Sequence, residues 1–261
     1  MNLSEIVLLF GAALLGGAVN SVAGGGGFIA FPALLFTGMP SINANATNTV
    51  ALWPGTLAST GAYRKALNAD LLKRILPLIV ITFLGSIFGS TLLLRTRQST
   101  FDHLVPWLLL SATVLFSFGG KMTAWINRHH SEGGPSMGRL VGITLLQLCV
   151  AIYIGYFGAG VGIVMLALLS MMGMENIHSM NGLKTLLATC GNAMAVIIFI
   201  FAHAVFWPQA LLMVVGAALG GYTGAWFAQK MDPRHVRYVV ITIGYSMTTY
   251  FFWRVYLHGR M

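Results

Sequence analysis

Lys184 is the residue of this 261-residue chain whose position says most about chemistry. It lies four residues after Met180, within an apolar segment, whereas the other Lys and Arg residues lie near segment ends. A buried ammonium costs several kcal/mol unless something neutralises it. Two interpretations are open: Lys184 is the counter-charge of a translocated anion, or it is structural and pairs with Glu175 or extends to the membrane interface.

Two glycine-rich breaks could supply backbone donors to the same anion. The first is a run of four glycines at 24–27, and the second is Gly-Ala-Gly-Val-Gly at 158–162. Glycine inside a membrane segment indicates that the backbone breaks, turns or closely approaches another group. A helix that begins after such a break directs unpaired N–H groups and a positive dipole end inward. The predicted backbone donors are Gly25, Gly26, Gly27, Gly160 and Gly162.

Polar side chains follow both breaks at matching distances, and we predict that they bind the anion with Lys184. Asn48 and Thr47 are expected to contact it directly, because amide and hydroxyl groups are neutral donors. The further side chains predicted for the site are Asn20, Ser21, Asn45 and Asn181. We expect four helix N-termini to converge here, those of the short pieces after the two breaks and of the segments that follow them.

The sequence lacks the residues that proton coupling, metal binding or catalysis would need. The six acidic residues lie in loops or at segment ends, so no intramembrane carboxylate is evident for a proton-driven carrier. The sequence has no HExxH motif, no paired intramembrane carboxylates and no Cys/His cluster, and Cys149 and Cys190 lie in apolar segments. We therefore expect no enzyme activity, no metal site and no cofactor.

These residues are embedded in a chain whose composition is that of a membrane protein. Hydrophobic residues make up 57% of the chain and charged residues 8%, which is too few charges to cover a soluble surface. The charge-free stretch at 75–94 has the ~20 residues that a span requires. The net charge of +9 comes from basic residues scattered at segment ends, a pattern that sets orientation and disfavours nucleic-acid binding. The predicted fold class is an all-α membrane protein.

About ten hydrophobic segments divide into two halves of five. Glycines recur at an offset of 135 residues, and one extra residue then aligns Asn48 with Lys184. The aligned pairs are Gly27 with Gly162, Gly38 with Gly173, Gly85 with Gly220, and Gly89 with Gly224. Because five is odd, the two repeats are expected to have inverted topology and to meet at the site. The predicted domains are a first repeat at 1–126, a linker at 127–138 and a second repeat at 139–261.

The number of true spans and the orientation follow from segment length and charge. The segments at 28–39 and 163–174 are too short to span a bilayer at ~1.5 Å per residue, so each is predicted to be a half-helix or one arm of a re-entrant hairpin. Between six and ten true spans are possible on this basis. The loops after the third, fifth and ninth segments are richest in Lys and Arg, which places the linker in the cytoplasm and both termini outside.

The chain resembles the TauE/SafE sulfite-exporter family over nearly its whole length. The resemblance rests on the four glycines at 24–27, on Asn-Ala-Thr-Asn at 45–48 and, more weakly, on the second break at 158–162. It implies a carrier that moves sulfite, sulfoacetate or other small organosulfonates outward across the bacterial inner membrane. The chain departs from the family where Gly182-Leu183-Lys184 replaces a small/Thr/Ser element, and this lysine could select a different anion.

The residues and the resemblance together predict a multi-pass transporter of a small anion, sulfite or an organosulfonate such as sulfoacetate, with alternating access around a central site. At ~100 mV one negative charge gains about 2.3 kcal/mol on leaving a cell that is negative inside, so export needs no coupling ion. An anion channel without an occluded site is the alternative. The expected partners are the anion and the lipid bilayer, and the sequence leaves open whether the protein forms a homodimer.

Overall fold

The protein is almost entirely helical. The computed structural model describes residues 1–22, 24–64, 67, 69–128, 137–174, 176–228 and 233–257, and no strand occurs within these ranges. A short π-helical turn, Trp253–Leu257, extends the last α-helix. The α-helices of the described ranges are α1 Leu3–Val22, α2 Gly27–Phe36, α3 Ser41–Ala62, α4 Ala69–Arg95, α5 Gln98–Arg128, α6 Met137–Tyr156, α7 Val161–Met171, α8 Ile177–Phe201, α9 Trp207–Ala228 and α10 Pro233–Phe252.

The helices have the length and the surface of a membrane protein. Four of those described, α1, α4, α5 and α8, are long and apolar enough to cross a bilayer. Large apolar side chains such as Leu84, Phe88 and Leu211 lie on the outer surface, where lipid would cover them. In lipid every backbone polar group must find a partner within the protein, which a helix provides. The predicted all-α membrane fold is confirmed, whereas the number of true spans stays a prediction.

Helices α2 and α7 are short, and each follows a glycine break. They contain 10 and 11 residues, so at ~1.5 Å per residue each is about half as long as the hydrocarbon core is thick. Helix α1 ends at Val22, and the chain turns through Gly24 at a φ of 78° before α2 begins. Helix α6 ends at Tyr156, and the chain turns through Gly158 at 76° before α7 begins. Positive φ is the conformation that glycine adopts without strain, which explains both breaks.

Helix packing follows the same plan in both halves of the chain. Helix α1 packs against α9, and α6 packs against α4 in the same way; α3 likewise contacts α9, and α8 contacts α4. We call α1, α3 and α9 the first bundle, and α4, α6 and α8 the second bundle. Helices α3 and α8 contact each other between the bundles, while α2 contacts α10 and α7 contacts α5. Each bundle therefore takes helices from both halves, so the halves interleave.

Close packing within each bundle depends on glycines that the sequence pairs at an offset of 135. A Cβ atom at Gly89 of α4 would overlap the carbonyl oxygen of Ile152 in α6. A Cβ atom at Gly220 of α9 would likewise overlap the carbonyl oxygen of Leu14 in α1. Small residues allow membrane helices to approach this closely, and the close contacts stabilise the pair.

The two central helices run in opposite directions. Near the start of α3, Asn43 Nδ2 donates a hydrogen bond of 2.9 Å to the carbonyl of Ala204, which follows the end of α8. Near the start of α8, Gly182 lies against Tyr63, which caps the end of α3. The cavity described next therefore has one side on which α3 begins and an opposite side on which α8 begins. Most of the predicted linker, residues 129–136, lies outside the described residues, and the two-repeat division stays a prediction.

Candidate functional site

A cavity of about 50 Å³ lies where the two glycine breaks meet. A Cβ atom at Gly24 would lie 2.7 Å from the Cα of Gly162, and one at Gly27 would lie 3.3 Å from the Cβ of Ala159. The breaks therefore touch each other, and side chains larger than glycine would separate them. The volume corresponds to roughly three to five water molecules, which is the size of a small ion.

Two helix N-termini lie at the cavity. Gly27 is the first residue of α2, Val161 is the first residue of α7, and both line the cavity with Gly162. The first N–H groups of a helix have no partner within that helix. Neither α2 nor α7 has a side-chain cap at its N-terminus. In α2 the N–H groups of Phe28 and Ile29 donate to the carbonyls of Gly25 and Gly26. The positive dipole ends of the two helices favour an anion in this space.

Equivalent faces of α3 and α8 form the remaining walls. The cavity-lining residues are Asn48, Thr49, Leu52, Trp53 and Thr56 of α3, and Lys184, Thr185, Ala188 and Asn192 of α8. A spacing of four and eight residues places side chains on one face of a helix. Adding 136 to the numbers 48, 49, 52 and 56 gives 184, 185, 188 and 192, and the N-caps Pro40 and Asn176 differ by the same 136. The cavity is therefore built from matching positions in the two halves of the chain.

Lys184 is the one charged residue that is buried among those whose side chains are described, with 1% of its surface exposed. This burial rules out the interpretation that it extends to the membrane interface. Glu175, the structural partner that the sequence offers, lies outside the described residues, so a contact between the two stays open. Lys184 lines the cavity at which two helix N-termini lie, and the positive dipole ends of those helices favour negative charge there.

Two asparagines of the predicted site also line the cavity. The Oδ1 atom of Asn48 is buried and has no hydrogen-bond partner among the described residues. Its Nδ2 atom is 3.7 Å from the Cβ position at Gly27, at the end of α2 that borders the cavity. A buried amide in this state needs a ligand or a water molecule. Asn20 Nδ2 donates a hydrogen bond of 3.1 Å to Thr56 Oγ1, which fixes the orientation of both side chains.

The other predicted site residues do not line the cavity: Ser21, Gly25, Gly26, Asn45, Thr47, Gly160 and Asn181. Asn45 Nδ2 donates a hydrogen bond of 3.0 Å to the carbonyl of Tyr156. Thr47 Oγ1 accepts one of 3.0 Å from the N–H of Phe206. Both side chains therefore contribute to the packing of α3. Asn45 lies about one turn before Asn48, and Thr47 points about 100° away from Asn48 around the helix.

Three of these residues belong to the glycine breaks and serve close packing. Gly25 lies against the side chains of Phe116 and Val240. Gly26 lies against the carbonyl of Gly16, and it is the N-cap of α2. Gly160 is the N-cap of α7 at a φ of 73°. These glycines shape the two helix starts at the cavity, although they do not themselves border it.

The expectation that four helix N-termini converge is wrong, because only α2 and α7 begin at the cavity. Helix α3 begins at Ser41 and helix α8 at Ile177, about two turns before Asn48 and Lys184. Both helices therefore cross the cavity at mid-length. The residues that the sequence reading missed lie further along the same faces: Thr49, Trp53, Thr56, Thr185 and Asn192. Thr56 and Asn192 lie eight residues after Asn48 and Lys184, and this spacing is the signal that could have found them. Thr49, Trp53 and Thr185 lie one or five residues after Asn48 or Lys184, and that spacing gives no such signal.

Comparison with known proteins finds transporters over the whole chain. The sequence profile of the family described as "Sulfite exporter TauE/SafE" matches residues 9–251. A "Probable membrane transporter protein" of Haemophilus influenzae is 26% identical over 251 residues, covering 95% of this chain and 94% of that protein. "Probable membrane transporter protein ORF9" of Sinorhizobium sp is 28% identical and covers 93% and 90%. "Probable membrane transporter protein YfcA" of Escherichia coli K12 is 27% identical and covers 92% and 87%. No solved structure gave a significant match.

Proposed function

We propose that this chain, which belongs to the TauE/SafE sulfite exporter family, exports a small anion through the cavity between its two glycine breaks. The anion is sulfite or an organosulfonate such as sulfoacetate. The observation that carries the proposal is the burial of Lys184 at a cavity that two helix N-termini border. Family membership and the named relatives make the chain a multi-pass membrane transporter, and the lining of the cavity supports an anion as its substrate.

The proposed anion contacts come from both halves of the chain. Lys184 supplies the positive charge, and the N-terminal ends of α2 and α7 at Gly27 and Gly162 supply N–H donors. Asn48 supplies the Nδ2 donor of its amide, which lies near Gly27 at the start of α2, and Asn20 lines the same cavity. Hydrogen bonds to charged groups are the stronger ones, so these donors together can replace the water that the anion loses on entry.

Export is the direction that the described charges support. The acidic side chains that the structure describes, Glu5, Asp70 and Asp102, are exposed or half-buried near helix ends. No carboxylate among them lies at the cavity to carry a coupled proton. A membrane potential of ~100 mV, negative inside, drives each negative charge outward with about 2.3 kcal/mol. We place the protein in the bacterial inner membrane with both termini outside, as the distribution of Lys and Arg predicts.

Alternating access would come from movement of the first bundle against the second. The antiparallel directions of α3 and α8 support two inverted repeats at 1–126 and 139–261, because corresponding helices of such repeats run in opposite directions. The repeats interleave, so each moving unit contains helices of both. Asn48 and Lys184 face the cavity from opposite bundles, and their separation would change as the bundles move.

The test is a melting-temperature panel on purified protein in detergent with sulfite, sulfate, sulfoacetate, taurine, a carboxylate and chloride. A ligand at ~100 times its Kd stabilises a protein by roughly 2.7 kcal/mol, which is readily measured. We expect one sulfur oxyanion to stabilise the native protein and not Lys184→Met, which keeps a similar volume without charge. Lys73→Met is the matched control, because Lys73 is exposed on α4 and should leave the response intact.

A second measurement separates a transporter from a channel. Anion flux into proteoliposomes should saturate with concentration if the cavity occludes one anion at a time, and it should stay linear for an open pore. If an anion stabilises Lys184→Met as much as it stabilises the native protein, Lys184 has a structural role and does not bind the anion. If no anion stabilises the native protein and flux stays linear, the proposed site is wrong and the channel becomes the better account.

A further inference from the structure

The two sides of the cavity differ, although the helices around it repeat. On the side where α3 begins, Asn45 Nδ2 donates to the carbonyl of Tyr156, and Thr47 accepts from the N–H of Phe206. On the side where α8 begins, the counterpart of Asn45 is Asn181, 136 residues later. Asn181 makes no side-chain hydrogen bond to another helix among the described residues. Asn45 and Thr47 therefore make hydrogen bonds whose counterparts at positions 181 and 183 are missing from the described residues, although Trp53 and Thr60 of α3 do bond to Thr189 of α8.

We infer that Asn45 and Asn181 are paired positioning residues of the transport cycle. Each closes one side of the cavity by capping the C-terminal end of the helix that precedes a glycine break. Asn45 does so for α6 in the state seen here, and Asn181 does so for α1 in the opposite state. The inference rests on the proposed function, because only a protein that exposes its site alternately needs two such closures.

The bond of Asn45 joins the two bundles at the rim of the cavity. Tyr156 is the last residue of α6, and its carbonyl is one of the four that a helix leaves without an internal partner. Asn45 lies on α3, in the first bundle, and is 1% exposed. The residue after Tyr156 is Phe157, which lines the cavity and packs edge-on against Phe31 at 5.4 Å between ring centroids. The bond therefore fixes the backbone directly before this cavity-lining ring.

The offset between the two halves of the chain identifies the carbonyl that Asn181 would bond, as Asn45 bonds that of Tyr156. Helix α1 ends at Val22 and helix α6 ends at Tyr156, 134 residues later. The left-handed glycines that follow these ends, Gly24 and Gly158, differ by the same 134. The carbonyl that corresponds to that of Tyr156 therefore belongs to Val22. Asn181 lies on the second bundle and α1 on the first, so the bond from Asn181 to Val22 would also join the bundles.

The amide donor of Asn181 is available for the exchange. Asn45 Nδ2 donates to the carbonyl of Tyr156, whereas Asn181 Nδ2 donates no hydrogen bond among the described residues. The Oδ1 atoms of both asparagines are buried without a partner there, but an amide oxygen only accepts, so they take no part in a bond to a carbonyl. Exchanging one bond for an equivalent one keeps the two states close in free energy, which lets a bound anion shift their populations.

The test measures which side of the cavity is open. In a background without native cysteines (Cys149→Ala and Cys190→Ala), a reporter cysteine replaces Ala188, which lines the cavity. A membrane-impermeant maleimide is then added to one side of sealed vesicles or to the other. The measured quantity is the ratio of labelling from the side where α8 begins to labelling from the side where α3 begins.

Opposite shifts are expected for the two asparagines. Asn45→Ala should lower the ratio about threefold or more, because the state seen here loses a bond that the opposite state does not have. Asn181→Ala should raise it by a similar factor. The double variant should return towards the parental ratio, because both states then lose one bond. A purely structural role would lower the melting temperature without moving the ratio in opposite directions.

The inference is overturned if both single variants shift the ratio in the same direction, or if neither shifts it. If an alanine variant does not fold, Asn45→Ser and Asn181→Ser give the same comparison with a smaller change in volume. The labelling ratio needs no ligand, so it can fail while the anion panel succeeds. A panel without any stabilising anion would count against the proposed function, and opposite labelling shifts would still stand as evidence for the two closures.

Discussion

At the scale of single residues, the cavity owes its charge to an asymmetry between two equivalent positions. Asn48 on α3 and Lys184 on α8 both line the cavity and differ by the 136 residues that relate the two helices. The positions beside them carry the same residue, Thr49 and Thr185. If the ammonium of residue 184 attracts the anion from the cavity wall, anion binding should depend on the presence of this charge more than on which of the two helices carries it.

The charge should therefore be movable from α8 to α3. Lys184→Asn alone should weaken anion binding about tenfold or more, because a hydrogen bond to a charged group contributes about 1.5–3 kcal/mol. The exchange Asn48→Lys with Lys184→Asn should recover much of this loss, as measured by anion-dependent melting. Asn48→Lys alone places two ammonium groups at one cavity and should lower the melting temperature without anion. Failure of the exchange to recover any binding would show that Lys184 acts through its own surroundings.

At the scale of the elements, the glycine breaks decide where two short helices begin. Gly24 has a φ of 78°, and a Cβ atom there would lie 2.7 Å from the Cα of Gly162. The breaks thus combine a left-handed turn with contact between two backbones. This contact brings the N-termini of α2 and α7 to the same cavity, so it is required for the site as well as for the fold.

Comparing Gly24→Ala with Gly38→Ala should separate the cost of the left-handed turn from the cost of disturbing the contact between the two breaks. Gly38 has a φ of 81°, but a Cβ atom there would have no neighbour within 4 Å. A left-handed conformation costs a non-glycine residue about 1–2 kcal/mol, and both variants should lose that much stability. Gly24→Ala should lower the melting temperature further and abolish anion-dependent stabilisation. Equal effects of the two variants would mean that the contact between the breaks contributes nothing.

At the scale of the whole molecule, interleaving couples the two halves of the chain. Helix α1 packs on α9 and helix α6 packs on α4, so neither bundle can form without helices from both halves. Glycines at 89 and 220 allow both pairs to approach closely. The two bundles meet at the cavity between α3 and α8, an arrangement compatible with the proposed alternating access.

The orientation of the whole molecule is open to direct measurement. Reporter domains that are active only in the periplasm, fused at either terminus, should both be active, because the basic loops hold the opposite ends of the helices inside. The same reporter inserted into the linker at 127–138 should be inactive, and a cytoplasmic reporter there should be active. Activity at one terminus only would contradict an inverted pair of five-segment repeats.

The sequence by itself determined the fold class, the two breaks and the family. The segment at 28–39 corresponds to α2 at Gly27–Phe36, and the segment at 163–174 corresponds to α7 at Val161–Met171. Such boundaries are local, since they depend on the length of apolar runs and on glycine conformation. Lys184, Asn48, Gly27, Gly162 and Asn20 were also proposed from the sequence, and the structure places them around one cavity.

Only the tertiary structure decided which polar residues face that cavity. Asn45, Thr47 and Asn48 are neighbours in sequence, yet a helix turns about 100° per residue, so Thr47 points away from Asn48, and Asn45 lies about one turn nearer the start of α3. Asn48 lines the cavity, whereas Asn45 and Thr47 bond to Tyr156 and Phe206 on other segments. The packing of α1 against α9 could not be predicted from the sequence either, because contacts between helices distant in sequence depend on which helix faces fit together. Composition and local periodicity do not specify that choice.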